Sequence, residues 1–191
     1  MKCSSFARRF LFLACLGLFA AGTLPAATVT FDPLPGPNGT AYTGHTESGI
    51  TVTPLSGTWN QAFNVGNPVP SIWTSNSTGS FEVTTGGTFT FLSFDLGTGG
   101  GSGPSYSIEG YLNSILVLSG SGSNPDSLFH TILSPDSLQN LDRLVIAATL
   151  GQTSSANIDN IALGAGSEVP EPGTWVLLTG GLGLMLARRR R

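Results

Sequence analysis

Between Thr28 and Pro172 this 191-residue chain contains no cysteine, and its one basic residue there is Arg143. Both cysteines, Cys3 and Cys15, lie close to the N-terminus. The central stretch therefore forms no disulfide, offers no thiol nucleophile and has no thiolates for structural zinc. All eleven acidic residues fall in that stretch, so eleven negatives and one positive leave it near −10, against −3 for the whole chain. A body this acidic has no electrostatic footprint for nucleic acid. The two histidines, His45 and His130, stand far apart, with no His-Glu-x-x-His pattern between or around them. There is no Gly-x-Ser-x-Gly elbow, no Gly-x-Gly-x-x-Gly turn and no P-loop. Apolar residues never recur at helical spacing over a long segment of the body, a single turn at 134–141 apart. A two-carboxylate hydrolase is the enzyme class this composition leaves open. With every other catalytic signature missing, the expectation is a non-enzyme.

Both ends are built for membranes. Lys2, Arg8 and Arg9 precede an apolar run at 10–21, and small residues follow to Ala27. That order is a secretory signal peptide, expected over 1–27 and to be recognised by the Sec translocon. Both cysteines would leave with it. At the other end, Pro170-Glu171-Pro172 precedes an uncharged apolar run at 173–187 and four arginines, Arg188, Arg189, Arg190 and Arg191. The two prolines bar a helix from running back through them, while a helix can start just after Pro172. Residues 174–187 would span roughly 21 Å as a helix, short of the ~30 Å hydrocarbon core but within reach of thinning and snorkelling arginines. Trp175 suits an interfacial position, and the arginines suit the cytoplasmic side.

These tail residues, in this order and spacing, resemble the PEP-CTERM sorting signal of Gram-negative bacteria. The resemblance implies a membrane-anchored precursor that exosortase processes after transient residence in the inner membrane. It also implies a place at the cell surface or in an exopolysaccharide or biofilm matrix. The expected division is thus 1–27 signal peptide, 28–164 folded domain, and 165–191 spacer and sorting signal.

Short runs of alternating apolar and polar residues fill the body: 49–54, 81–85, 88–96, 105–112, 115–118, 128–133, 144–150 and 156–163. Period-two alternation between frequent glycine-rich turns predicts strands. In 88–96 the apolar positions change parity at Leu92, which predicts a bulge or a corner. Asn113-Ser114 predicts a tight hairpin. Nine or ten such strands predict an all-β domain, an antiparallel β-sandwich of jelly-roll type, flanked by a signal helix and a C-terminal transmembrane helix. Thr30-Phe31-Asp32, Phe94-Asp95-Leu96, Gly110-Tyr111 and Ile158-Asp159-Asn160-Ile161 together resemble the sandwich domains common in PEP-CTERM proteins and, more distantly, carbohydrate-binding jelly rolls.

Two candidate sites follow. A jelly roll sets its first and last strands side by side, bringing Asp32 near Asp159 and Asn160. Oxygen ligands of that kind suit a structural Ca²⁺, the only cofactor expected here. The same Asp-Asn pair also suits plain turn and backbone hydrogen bonds at a strand end. Trp59 and Trp73 flank 60–71, a polar, proline-containing stretch expected to be a loop. Exposed indoles there would stack on sugar rings, whereas buried ones would serve the core. The functional expectation is a structural or adhesive matrix protein, with a carbohydrate-binding module as the alternative.

Overall fold

A computed structural model of the chain describes residues 26–151 and 154–166. The signal helix, the transmembrane helix, Pro170-Glu171-Pro172 and Arg188 to Arg191 lie outside the described residues. Among the described residues there is no helix, and so none long and apolar enough to cross a membrane.

Among the described residues thirteen strands make two antiparallel sheets. They are β1 (Ala27–Val29), β2 (His45–Glu47), β3 (Ile50–Ser56), β4 (Trp59–Ala62), β5 (Ser71–Thr74), β6 (Thr78–Thr84), β7 (Phe89–Gly97), β8 (Ser105–Leu112), β9 (Ile115–Ser123), β10 (His130–Leu133), β11 (Asn140–Leu141), β12 (Arg143–Thr149) and β13 (Ala156–Ala165). One sheet runs β10-β7-β13-β5-β4, with β1 on β13 and β11 on β7; the other runs β2-β3-β6-β12-β8-β9. Each alternating run read from the sequence falls on a strand, although Leu128 and Phe129 of the 128–133 run precede β10. Ala27, at the expected signal-peptide boundary, pairs with Leu163 in the first register position of β1.

Alternation decides which side chains enter the core. Phe81 and Val83 on β6, Leu144 and Ile146 on β12 and Ile108 on β8 point in from one sheet, while Phe89, Phe91, Phe94, Ile158 and Ile161 point in from the other. Phe94 meets Tyr106 edge-on at 5.8 Å, closing the gap between the sheets. At Gly110 a Cβ would lie 2.6 Å from Leu141, so the glycine lets β11 press against β8. Asn113 and Ser114 both take positive φ (52° and 65°), the backbone a type I′ hairpin needs to match strand twist.

The parity change at Leu92 is a bulge. Ala162 faces Ser93 while Leu163 faces Phe91, which leaves Leu92 as the extra residue on β7. A second shift between Asp159 and Ala162 puts an extra residue on β13, where Asn160 has φ 46°. Together the two bulges keep Phe91, Phe94, Ile158, Ile161 and Leu163 all in the core despite their irregular spacing.

The polar face of the seven-stranded sheet

Trp59 and Trp73 do not frame a loop. They sit on β4 and β5, which form a hairpin with Trp59 opposite Thr74 and Asn60 opposite Trp73. Only 63–70 remains as the connection. The pairing sends the indoles to opposite faces. Trp59 is 2% exposed, packs edge-on to Phe81 at 5.2 Å and donates its Nε1–H to Ser56 O at 3.0 Å. It is a core residue, and no sugar ring can reach its face. Trp73 points outward, half-buried, with its Nε1–H donated to Gln61 O at 3.3 Å.

Across the sheet, Trp73 faces Asn157 on β13, and Asn157 faces Gly97 on β7. A Cβ on Gly97 would lie 2.8 Å from the Phe129 ring, so Phe129 covers that end of the row. An open cleft of about 300 Å³ lies along this row, lined by Asn38, Val65, Trp73, Gly99, Ser155 and Asn157 among others. Its size is at the lower end for small-molecule sites, and none of its described lining residues is ionisable. A relay of hydrogen bonds holds the floor. Gly99 N–H donates to Ser155 Oγ (3.0 Å), Ser155 Oγ to Asn157 Oδ1 (2.9 Å), Asn157 Nδ2 to Ser71 Oγ (3.5 Å), and Ser71 Oγ to Val65 O (2.7 Å). Sequence reasoning missed Asn38, Ser155 and Asn157, because nothing local marks an asparagine as facing a cleft.

The next row of the same face carries a pair of acids. Asp95 and Asp159 are directly opposite each other on β7 and β13. Both are sealed: Asp159 is 0% and Asp95 5% exposed. The 63–70 loop lies over them through Asn67. Asp159 Oδ2 accepts the Asn67 backbone N–H at 2.6 Å, and Oδ1 accepts that of Asn160 at 2.8 Å. Asp95 Oδ1 accepts the Thr131 hydroxyl at 2.6 Å; Oδ2 accepts Asn67 Nδ2 at 3.1 Å and Asn160 Nδ2 at 2.9 Å. Asn160 Nδ2 also donates to Asn67 O. Burial raises the Asp159 carboxyl to about 7; the two N–H bonds oppose the rise, and the charges of Asp95 and Asp32 add to it.

The structure therefore does bring the N-terminal and C-terminal strands together, with Asp32 close enough for its charge to act on Asp159. The Asp159 and Asp95 oxygens, however, already face N–H and O–H donors. Among the described residues no group of three or more His, Cys, Asp or Glu side chains is placed to hold a metal ion. As a chemical device the acid pair is a latch on the Asn67 loop. It presents no carboxylate to solvent, so it cannot flank a substrate bond as a hydrolase pair must.

A half-buried carboxylate ties down the residues that follow the first strand. Glu47 accepts Thr30 N–H, Thr30 Oγ–H (2.8 Å) and Phe31 N–H (3.1 Å). Burial alone would raise its carboxyl, but the bonds from Thr30, His45 and Phe31 prevail and hold it below the usual range.

Residues 168–191 match the family model for the PEP-CTERM protein-sorting motif. No curated protein matches the chain significantly. Among solved structures, the body is similar to the C-terminal family 22 carbohydrate-binding module of Clostridium thermocellum Xyn10B, at 15% identity over 78% of this chain and 98% of that one, TM-score 0.44. It is also similar to the family 32 module from C. perfringens NanJ, solved with galactose, at 18% identity over 63% and 98%, TM-score 0.41. A third is the K1 cleaved adhesin domain of Lys-gingipain from Porphyromonas gingivalis W83, at 7% identity over 74% and 99%, TM-score 0.44. These are distant likenesses of sandwich architecture, and the ligands of those domains say nothing about this one.

Proposed function

We propose that this chain, which ends in a PEP-CTERM sorting motif, is an exosortase-processed surface protein whose sandwich binds a neutral extracellular polysaccharide without cleaving it. The sorting motif at 168–191 supports export as a C-terminally anchored precursor. Removal of the 1–27 leader by the Sec pathway, transient anchoring in the inner membrane and release to the surface or matrix of a Gram-negative cell complete the route.

The observation that carries the binding reading is the cleft beside Trp73. It combines an outward indole with amide and hydroxyl groups on a hydrogen-bonded floor and no ionisable side chain. An indole face stacks on the apolar face of a sugar ring, and amides and hydroxyls pair with its hydroxyls. A neutral lining, on a body that carries nine acids against one arginine over 28–164, disfavours acidic sugars and suits neutral ones. The sealed Asp95–Asp159 pair supports a binding role over hydrolysis. The role in the matrix is then adhesive: a sorted protein that holds glycan.

Affinity electrophoresis in gels containing neutral exopolysaccharide from the producing bacterium tests this. Retardation of the protein in the polysaccharide gel, absent from a gel without polysaccharide and lost in Trp73→Ala, is the expected result. Equal mobility of both proteins with and without polysaccharide refutes the glycan reading and leaves a purely structural role. The sorting half is tested separately by intact mass of the protein from membrane and medium fractions. A terminus near Pro170 to Pro172 is expected, and a mass that still includes Arg191 would reduce the tail to a plain anchor.

A further inference from the structure

Both chain ends leave the body at the same end of the sandwich. Ala27, which opens β1, borders a hollow with Gly49, Thr85, Phe89 and Gly164. A Cβ on Gly166 would lie 2.4 Å from Thr88 O. Leu112 and Asn113 border a second hollow with Gly86, Gly87 and Thr88. The tip of the β8–β9 hairpin therefore stands beside the points where the leader expected over 1–27 and the sorting motif at 168–191 join the fold. The tail's apolar run begins at Gly173, seven residues after Gly166, and seven residues of fully extended chain reach at most about 25 Å. The connections at this end carry little charge. Ser48-Gly49, the loop 85–88 and Asn113-Ser114 have none, and Asp142 accepts the Asn113 N–H on its Oδ2 at 2.6 Å.

The hairpin tip is apolar on both of its sides. Leu112 opposes Ile115 and Tyr111 opposes Leu116, and successive pairs face opposite ways. Ile115 is 66% and Leu116 51% exposed. A protein docking on one side would leave the other wet, whereas a fluid apolar phase surrounds both. Beside Leu116, the Tyr111 ring lies under the Arg143 guanidinium, 4.7 Å from its centroid. Tyr111 Oη–H donates to Glu109 at 2.6 Å and Arg143 Nε–H to Glu82 at 3.0 Å. Aliphatic side chains at the tip, with a tyrosine and an arginine just behind them, follow the order of groups that a lipid–water interface favours. Glu82, Glu109 and Asp142 outnumber Arg143, so the tip suits a zwitterionic surface and not an anionic one. Asp136 stands further back: its neighbour Pro135 lies over Gly120, five residues, roughly 16 Å, along β9 from Ile115.

We propose that the β8–β9 tip is a lipid-contacting surface: while the chain is an anchored precursor, Leu112, Ile115 and Leu116 enter a zwitterionic phospholipid surface, with Tyr111 and Arg143 at headgroup level. The inference rests on the anchored precursor described above and concerns a surface apart from the Trp73 cleft. Three aliphatic side chains hold a free protein at a bilayer poorly, since even a single fourteen-carbon acyl chain gives only marginal binding. The short tether between Gly166 and Gly173 keeps the tip at high local concentration over the membrane and so makes the contact persist. Cutting the tail removes the tether, and the body then comes away.

The test uses the full chain, with Cys3→Ser and Cys15→Ser so that an introduced thiol is the only one, reconstituted into phosphatidylcholine vesicles. A fluorophore is placed on Ser114→Cys at the tip or on Ser75→Cys, an exposed site between β5 and β6 at the far end of the sandwich. Quenching by phospholipids with a nitroxide on the acyl chain is then measured. Co-flotation with the vesicles reads the anchoring by itself, so a chain that fails to anchor is distinguished from a tip that fails to insert. The expected result is quenching at Ser114→Cys at least threefold that at Ser75→Cys, falling to the Ser75→Cys level when Ile115→Asn and Leu116→Asn are added. Both of those side chains are exposed, so the variant keeps its fold. Equal quenching at the two positions, quenching unchanged by the double substitution, or quenching that appears only with phosphatidylglycerol present would overturn the proposal.

Discussion

Replacing Asp159 with asparagine isolates the energetic consequence of sealing a carboxyl under the Asn67 loop. In the unfolded chain this group releases its proton near 3.8; in the fold it holds it to about 7. The folded state therefore binds more protons across that window, so stability is highest at its acidic end and is lost as pH rises to about 7. A shift of ~3 units at ~1.4 kcal/mol each gives an upper figure of about 4 kcal/mol, of which about 2–3 kcal/mol falls between pH 5 and 8. The asparagine variant has no such titration. Its Oδ1 still accepts one backbone N–H, but its amide N–H₂ is turned toward the other donor, a loss of about 1–3 kcal/mol. The expected result of urea unfolding is a native protein that weakens from pH 5 to 8 and a variant that starts lower and stays flat, so that the two converge at the alkaline end. A flat native profile, or an equal slope in the variant, refutes the assignment of that slope to Asp159.

Other substitutions separate core from cleft. Trp59→Ala should cost about 3–5 kcal/mol because it empties a buried site against Phe81, whereas Trp73→Ala should leave the melting temperature within a few degrees and act on binding. Glu47→Gln should cost about 1–3 kcal/mol at neutral pH. Because the folded carboxyl is held below its ordinary value, that contribution is present above about pH 4.5 and fades as pH falls further, so native and variant should unfold alike in acid. Adding Ca²⁺, or chelating it, should leave the melting temperature unchanged, since the Asp159 and Asp95 oxygens already accept hydrogen bonds. A rise of several degrees with Ca²⁺ would instead place a metal at Asp32, Asp159 and Asn160.

The amino-acid sequence by itself determined the tail, the strand character of the body and several of its details. The tail was legible because its order of proline, apolar run and arginines is local and needs no folded context. The long strands β7, β8, β12 and β13 were legible because alternation over seven or more residues is a strong signal, and even the bulge at Leu92 was written in a parity change. The short strands β1, β2, β4, β5 and β11 were not, since two to four residues carry too little alternation to distinguish them from loop. Tertiary structure alone decided which tryptophan is available. Trp59 and Trp73 look equivalent in sequence, and only the β4–β5 register sends one into the core and the other to the cleft. It also decided the fate of Asp159. That residue stands apart from Asp95 and Asn67 along the chain, and meets them only because β13 inserts between β5 and β7 with an extra residue beside it. Side-chain facing and non-local pairing depend on register between distant segments, and register is a property of the assembled sheets.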